Sequence, residues 1–411
     1  MAQAKVQLAV CGGEKTCSIE WPTWPIWDDR ERQGLMAVLE SGQWWYGERV
    51  HEFEAAFAAF QTARYGVTAT SGTTALEATL SALGIGPGDE VIVPPYTFVA
   101  TASAVLRVGA VPIFADIQPH TLCIDPDDVL SKVTPRTRAV IPVHLAGYVA
   151  DMDRLGEIAA ALDINIIEDA CHSWGSQWKG KGTGALGRCG VFSFQASKNI
   201  TSAEGGIMLT DDEQVAEDCR SFTNVGRRKG GAWYQHFNVG SNLRMTEFQA
   251  ALLLAQLSRL EEHTLRRQAN AEIILQGLRT IPGVIPIEND PRITRRGYHL
   301  LPIRLDLNRL GISRDRFVEA LSAEGVPASP GYTTPLYRNP MFERISTDPH
   351  SRPYLGDVVD YRQVSCPVCE QVCNDTWWFF HTLLLADSSA MEVIVDAVQK
   401  VCQNVDQLRE P

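Results

Sequence analysis

An α/β fold built on a mostly parallel seven-stranded sheet, with a smaller C-terminal α+β domain, is predicted by three features of the sequence. Short β-branched runs alternate with helical patterns from Tyr65 to Thr210. These runs are apolar along their length, as strands covered on both faces must be. Beyond Arg244 the texture changes to one long helical stretch followed by a mixed region. The chain has 411 residues, 45% hydrophobic and 21% charged, the composition of a globular protein of roughly two domains.

The elements follow in order. Residues 1–50, rich in tryptophan, are expected to form a segment that packs on the small domain and the site entrance; residues 51–260 form the large domain and 261–411 the small one. The predicted strands are "YGVTAT" (65–70), "EVIVP" (90–94), "VPIFAD" (111–116), "AVIPVH" (139–144), "INIIED" (164–169), "VFSF" (191–194) and "GIMLT" (206–210). Between the first two, Ala75, Leu76, Thr79, Leu80 and Leu83 recur at helical spacing, and "GIGPGD" ends that helix. Thr246 to about Thr280 reads as a single long helix containing the domain boundary, with Phe248, Ala251, Leu252 and Ala255 on one face. A strand at 298–305, a helix at 313–324, a Pro- and Tyr-rich loop at 327–340 and a last amphipathic helix at 390–403 complete the small domain.

Composition excludes several roles. With 37 Lys+Arg against 49 Asp+Glu, a formal charge of −12, and no run of like charges, neither nucleic acid nor an anionic membrane is an expected partner. No signal-peptide core and no stretch of about 20 apolar residues is present, so a cytoplasmic location is expected. Ten scattered cysteines do not form a disulfide framework in a chain of this length. Cys366, Cys369 and Cys373 approach metal-ligand spacing but lack a fourth ligand, so they read as thiols on or beside a helix and no metal is expected.

In open α/β sheets ligands sit at the carboxyl ends of strands. "SGTTAL" (71–76) opens a helix there, and its backbone N–H groups and hydroxyls suit a phosphate, though the same turn serves as an ordinary N-cap. Tyr96 and Phe98 follow the second strand and could cover a flat ring or fill core. Asp169 and His172 follow a run of buried isoleucines; a carboxylate there needs a partner, of which a cationic ring nitrogen would be one, or serves as a helix cap. Lys198, in "FSFQASKNITSAEGG" (192–206), is an isolated amine past a strand end. Cradle, aromatic cover, carboxylate and lysine are together the parts needed to hold pyridoxal 5'-phosphate, because a buried amine, neutral by desolvation, can condense with its aldehyde.

These motifs in this order resemble the sugar and cyclitol aminotransferases of the DegT/DnrJ/EryC1/StrS family, within the fold-type I, aspartate aminotransferase-like enzymes, from "WPTWPIWDDRERQGLMAVLESGQWW" (21–45) to "WWFFHTLLLAD" (377–387). The resemblance implies Lys198 as the lysine of the internal aldimine and proton shuttle, Asp169 as the partner of the pyridine nitrogen, Phe98 as the stacking ring, and Gly72, Thr73 and Ser193 as the phosphate cradle. His172 and Gln195 match residues bordering the cofactor, and Asn242, in "GSNLRM" (240–245), matches an asparagine lent to a neighbouring subunit, which implies a homodimer with shared sites. Ala203 departs from the family's commoner glycine in "AEGG". The implied reaction moves an amino group from glutamine or glutamate to a keto-cyclitol or keto-sugar through a pyridoxamine phosphate intermediate. The alternatives are a dehydration and aromatisation like that of 3-amino-5-hydroxybenzoate synthase, and a non-catalytic binding or regulatory protein. Tyr332, Tyr337, His299 and His381 are the candidate polyol contacts, Trp44, Trp45 and Tyr46 could line the mouth, and Arg227, Arg228 and Lys229 form a short basic group.

Overall fold

The computed structural model describes residues 6–348 and 359–409. Its central sheet contains all seven expected strands: β1 (Tyr65–Ala69), β2 (Glu90–Val93), β3 (Val111–Phe114), β4 (Thr137–Val140), β5 (Asn165–Asp169), β6 (Cys189–Ser193) and β7 (Gly206–Thr210). The spatial order is β1-β7-β6-β5-β4-β2-β3. Only β7 runs antiparallel to its neighbours, so β1 and the other five strands end at the same edge. Register then decides which residues meet. Gly206 pairs with both Ala69 and Ser193, and Asp169 pairs with Val191, which brings the turns after β1, β5 and β6 together.

Helix α1 (Asp29–Ser41) starts in a capping box closed by Asp28 and Glu31, and α2 (Gly72–Ala82) in one closed by Ser71 and Thr74. The stretch expected as one helix over 246–280 is two, α3 (Glu247–Leu257) and α4 (Leu260–Leu278). The Ser258 hydroxyl donates to the Ala255 carbonyl at 2.7 Å, a bond that competes with the helix ladder. Beyond the break, buried Arg259 turns to Glu31 and Asp28.

The smaller sheet consists of β8 (Val284–Pro286), β9 (Leu300–Leu305) and β10 (Thr376–Phe380), all antiparallel. In β10 the period of two sorts the aromatics: Trp377 and Phe379 are 0% exposed in the small-domain core, while Phe380, 42% exposed, belongs to the opposite face with Trp378. Leu8 and Cys17 enter that same core, and Glu324 accepts from Ala9 and Thr16 N–H, which ties the N-terminal residues to the small domain. Helix α1 instead packs on α3.

Helix α5 (Pro367–Asp375) carries Cys369 and Cys373, and Cys366 stands at its N-cap position; all three thiols are buried. Burial pushes the Cys366 thiol up to about 12, and no cluster of metal-ligating groups occurs among the described residues. No described helix is long and apolar enough to cross a membrane.

Candidate active site

The strand ends open on a cavity of about 460 Å3 lined by Gly72, Thr73, Phe98, Asp169, His172, Ser193, Gln195, Lys198, His299 and Tyr332, among others. Ten of the thirteen candidate site residues thus converge from segments far apart in sequence.

One wall is the N-terminus of α2. First-turn N–H groups have no partner within a helix, so those of Gly72 and Thr73 are available to an anion. A Cβ on Gly72 would lie 2.9 Å from Ser193 Cβ and 3.0 Å from Cys171 Sγ, and one on Gly206 would lie 2.3 Å from the Ser71 carbonyl. Glycine at these two positions lets the three turns approach closely enough to form a single concave cradle.

Asp169 lies at the floor, 5% exposed. Its Oδ2 accepts from Thr101 Oγ1 at 2.8 Å and its Oδ1 from Cys171 N–H at 3.2 Å. Thr101 Oγ1 also lies 3.0 Å from Thr97 Oγ1; having given its one hydrogen to Asp169, it accepts from Thr97. Lys198 follows a turn in which its own N–H donates to the Gln195 carbonyl at 2.9 Å. Its Nζ is 5.6 Å from the centre of the Trp174 ring, and it makes no ion pair among the described residues. Burial lowers its pKa, opposed by Cys171 and Asp169. A neutral amine is thereby favoured.

His172 and His299 sit side by side, their ring centroids 4.5 Å apart. Burial and the Lys198 amine hold His172 well below the usual imidazole range; burial, with His172 and Lys198 nearby, does the same to His299. Asn199 Nδ2 donates to the Gly297 carbonyl, so its Oδ1 faces His299 at 2.9 Å and takes the hydrogen on Nδ1. His299 Nε2 is then an acceptor with no partner among the described residues. Phe98 is 59% exposed at the rim. Its neighbour Tyr96, by contrast, is buried in the core.

Three candidates lie elsewhere. Tyr337 is 2% exposed in the core that surrounds the main sheet, its hydroxyl donating to Glu370 at 2.6 Å and accepting from Cys366 N–H. His381 is outside the cavity lining, and both its ring nitrogens are engaged within the protein. Asn242 is exposed, bridged to Asn224, and does not reach this chain's own cavity. Of the possible mouth residues, Trp44 and Trp45 are 51% and 58% exposed and lie outside the lining. Arg227, Arg228 and Lys229 line a separate cleft with Tyr46 and Trp233, where Arg228 pairs with Asp218.

The sequence reading missed Trp378, Phe380, Glu204, Thr97 and Cys171 as lining residues. The signal for the first two was the alternation in "TWWFF", which splits the aromatics between two faces; for Cys171 it was its position inside "DACHS".

The sequence profile of the DegT/DnrJ/EryC1/StrS aminotransferase family matches residues 25–398. An L-glutamine:2-deoxy-scyllo-inosose aminotransferase of Streptomyces kanamyceticus is 38% identical, covering 97% of this chain and 97% of that one. The 3-amino-5-hydroxybenzoate synthase of Amycolatopsis mediterranei is 36% identical over 93% of this chain and 98% of its own. A crystal structure of a 3-amino-5-hydroxybenzoic acid synthase superposes with a TM-score of 0.82 at 36% identity, over 92% of this chain and 98% of that chain. By its profile, its near full-length relatives and its architecture, the chain belongs to the DegT/DnrJ/EryC1/StrS aminotransferase family.

Proposed function

We propose that this aminotransferase holds pyridoxal 5'-phosphate in the cavity around Lys198 and moves an amino group from glutamine or glutamate to a keto-cyclitol or keto-sugar. The lining fits each chemical part of that cofactor. The Gly72 and Thr73 N–H groups with the Ser193 hydroxyl would hold the phosphate, in a cradle that a Cβ at residue 72 would fill. Asp169, oriented by Thr101 and Cys171, would meet the ring nitrogen, with Phe98 and His172 bordering the ring. When bound, the cofactor supplies an aldehyde for the amino group and a protonated ring that stabilises negative charge at the donor α-carbon.

The chain's own residues do the rest. Lys198 Nζ, its neutral form favoured by burial, takes the α-proton and returns it, a general base and then a general acid at one atom. His172, neutral for the same reason, adds no competing cation beside it. His299 Nε2 and the Tyr332 hydroxyl offer hydrogen bonds to a polyol, and Trp378 and Phe380 an apolar face for its ring. The name of the 38% identical relative supports glutamine as donor and a cyclitol ketone as acceptor. Asn242, exposed and away from its own cavity, is read as a contribution to a second copy's phosphate site in a homodimer. A cytoplasmic location belongs to the same reading.

The observation that carries the proposal is a single one: Lys198, without an ion pair among the described residues, opens into the same cavity as Asp169. The test is to mix purified protein and pyridoxal 5'-phosphate with glutamine, follow the visible absorbance of the bound cofactor, and then add 2-deoxy-scyllo-inosose. Loss of the band with glutamine and its return with the ketone, both absent in Lys198→Ala, are expected. Silence with every amino donor, together with turnover of an amino-cyclohexenone acid, would replace aminotransfer by dehydration. Normal turnover by Lys198→Ala would remove the proposal.

A further inference from the structure

We infer that His381 is a positioning residue for Lys198, acting through the Ser197 carbonyl, and that Arg267 fixes the imidazole tautomer in which it does so. The inference rests on the reading of Lys198 as the reactive amine. The turn that ends at Lys198 is held from inside by Gln195, whose carbonyl accepts from Lys198 N–H and whose side-chain oxygen accepts from Ser197 N–H and Oγ, at 2.9 and 2.8 Å. The two carbonyls within the turn are each taken by a ring nitrogen from a distant part of the chain. Trp24 Nε1 donates to the Ala196 carbonyl at 3.0 Å, and His381 Nε2 lies 3.0 Å from the Ser197 carbonyl.

The tautomer follows from donor chemistry. Arg267 Nη2 is 3.1 Å from His381 Nδ1, and a guanidinium can only donate. Nδ1 must therefore present its lone pair, and the imidazole's one hydrogen is on Nε2, aimed at a carbonyl that can only accept. Neither a flipped tautomer nor an imidazolium satisfies both neighbours. The edge-on Trp24 ring, 4.6 Å from the imidazole centroid at 90°, closes the cluster, and Arg267 lies 5.8 Å from the same indole.

Stability alone does not account for Arg267. It is fully buried, and its Nε and Nη1 have no hydrogen-bond partner among the described residues. A buried cation left so incompletely bonded is costly, and an apolar residue of similar size would pack there at less expense. What the arrangement provides is a fixed root for a flexible four-carbon side chain whose amine must meet a reacting carbon. His381 N–H donates to the His299 carbonyl at 3.1 Å, so the clamp is continuous with the cavity wall. The N-terminal segment, through Trp24, and the small domain, through His381, thus both set where Lys198 begins.

The test compares His381→Gln, His381→Asn and His381→Phe in the full-length protein. Glutamine can place an amide N–H where Nε2 was, whereas asparagine meets Arg267 but is too short for Ser197. The readouts are the rate at which cofactor-free protein captures pyridoxal 5'-phosphate on Lys198, trapped by borohydride and located by mass spectrometry, kcat against KM for glutamine, and the urea midpoint. Phe and Asn variants are expected to slow capture and lower kcat by about 10- to 100-fold, the usual penalty for a misplaced catalytic group, with KM little changed. Gln is expected to recover most of both, although Gln and Asn variants share one urea midpoint. Capture at the wild-type rate by His381→Phe, or equal defects in Gln and Asn, would overturn the inference. Should the phenylalanine variant not fold, the Gln and Asn pair still decides, because asparagine must slow capture at a urea midpoint it shares with glutamine. Capture by Lys198→Ala would instead defeat the reading of the lysine itself.

Discussion

Glu168, one residue before Asp169 on β5, offers the most direct test of how the floor of the site is built. Its side chain is fully buried and serves four donors with two oxygens: Leu186 and Gly187 N–H on Oε1, Gly184 N–H and His144 Nε2 on Oε2, at 2.7 to 2.8 Å. His144 Nδ1 accepts from Ala150 N–H at 3.2 Å, so Nε2 carries the hydrogen and cannot become an acceptor without losing that bond. Glu168→Gln keeps the volume and one oxygen. Whichever way the amide turns, its NH2 faces two hydrogens that previously had an acceptor. Leaving two buried donors unsatisfied costs about 1–3 kcal/mol each, so a loss of roughly 2–6 kcal/mol is expected. Urea unfolding of the cofactor-free variant, at fixed protein concentration, reads this as a lowered midpoint at unchanged slope. Because His144 N–H donates to the Asp169 carbonyl at 3.1 Å, weaker cofactor retention should accompany it. A loss below about 1 kcal/mol would refute the tautomer assignment and the four-donor account.

Three further outcomes follow from other parts of the molecule. Tyr332→Phe, on the cavity, is expected to lower kcat/KM for the keto substrate, while Tyr337→Phe is expected to leave it unchanged and cost about 1–3 kcal/mol of stability through the unpaired Cys366 N–H and Glu370; steady-state kinetics and urea midpoints separate the two. Ala203 holds φ at 71°, a left-handed backbone that disfavours a Cβ, so Ala203→Gly should stabilise the fold by about 1 kcal/mol, read as a higher urea midpoint at unchanged slope. Burial and nearby arginines lower His263 to about 4, and burial holds His172, His299 and His381 well below 6.5. Their unfolded forms bind protons first, so the stability they contribute is complete above about pH 6.5 and is lost as pH falls toward 4; midpoints that stay flat over that window would contradict this.

The seven strands of the main sheet were legible because each is a short apolar run bounded by turn residues, and a covered parallel sheet permits little else. The break at Ser258–Arg259 was not. Nothing in the apolar spacing of α3 and α4 marks it, since its local cause is a hydroxyl bonded to its own helix and its tertiary one is Arg259 reaching Glu31, 228 residues away in sequence. Helical periodicity records which face is buried; it does not record where a polar side chain finds a partner.

The site divides along the same line. Gly72, Asp169, Ser193 and Lys198 lie at or just beyond strand ends, and the register of β1, β5, β6 and β7 is enough to bring them together. Tyr337 and His381 are chemically as suitable for a polyol as Tyr332 and His299, and their surroundings in sequence do not separate the two pairs. Separation comes from which side of a strand or loop each occupies and from partners supplied by other segments: Glu370 and the Cys366 amide for Tyr337, Arg267 and the Ser197 carbonyl for His381. A polar group with all its hydrogen-bonding capacity spent inside the protein has none left for a substrate. Residue type thus nominated the candidates, and hydrogen-bond saturation, visible only once the chain is folded, decides which of them can still bind.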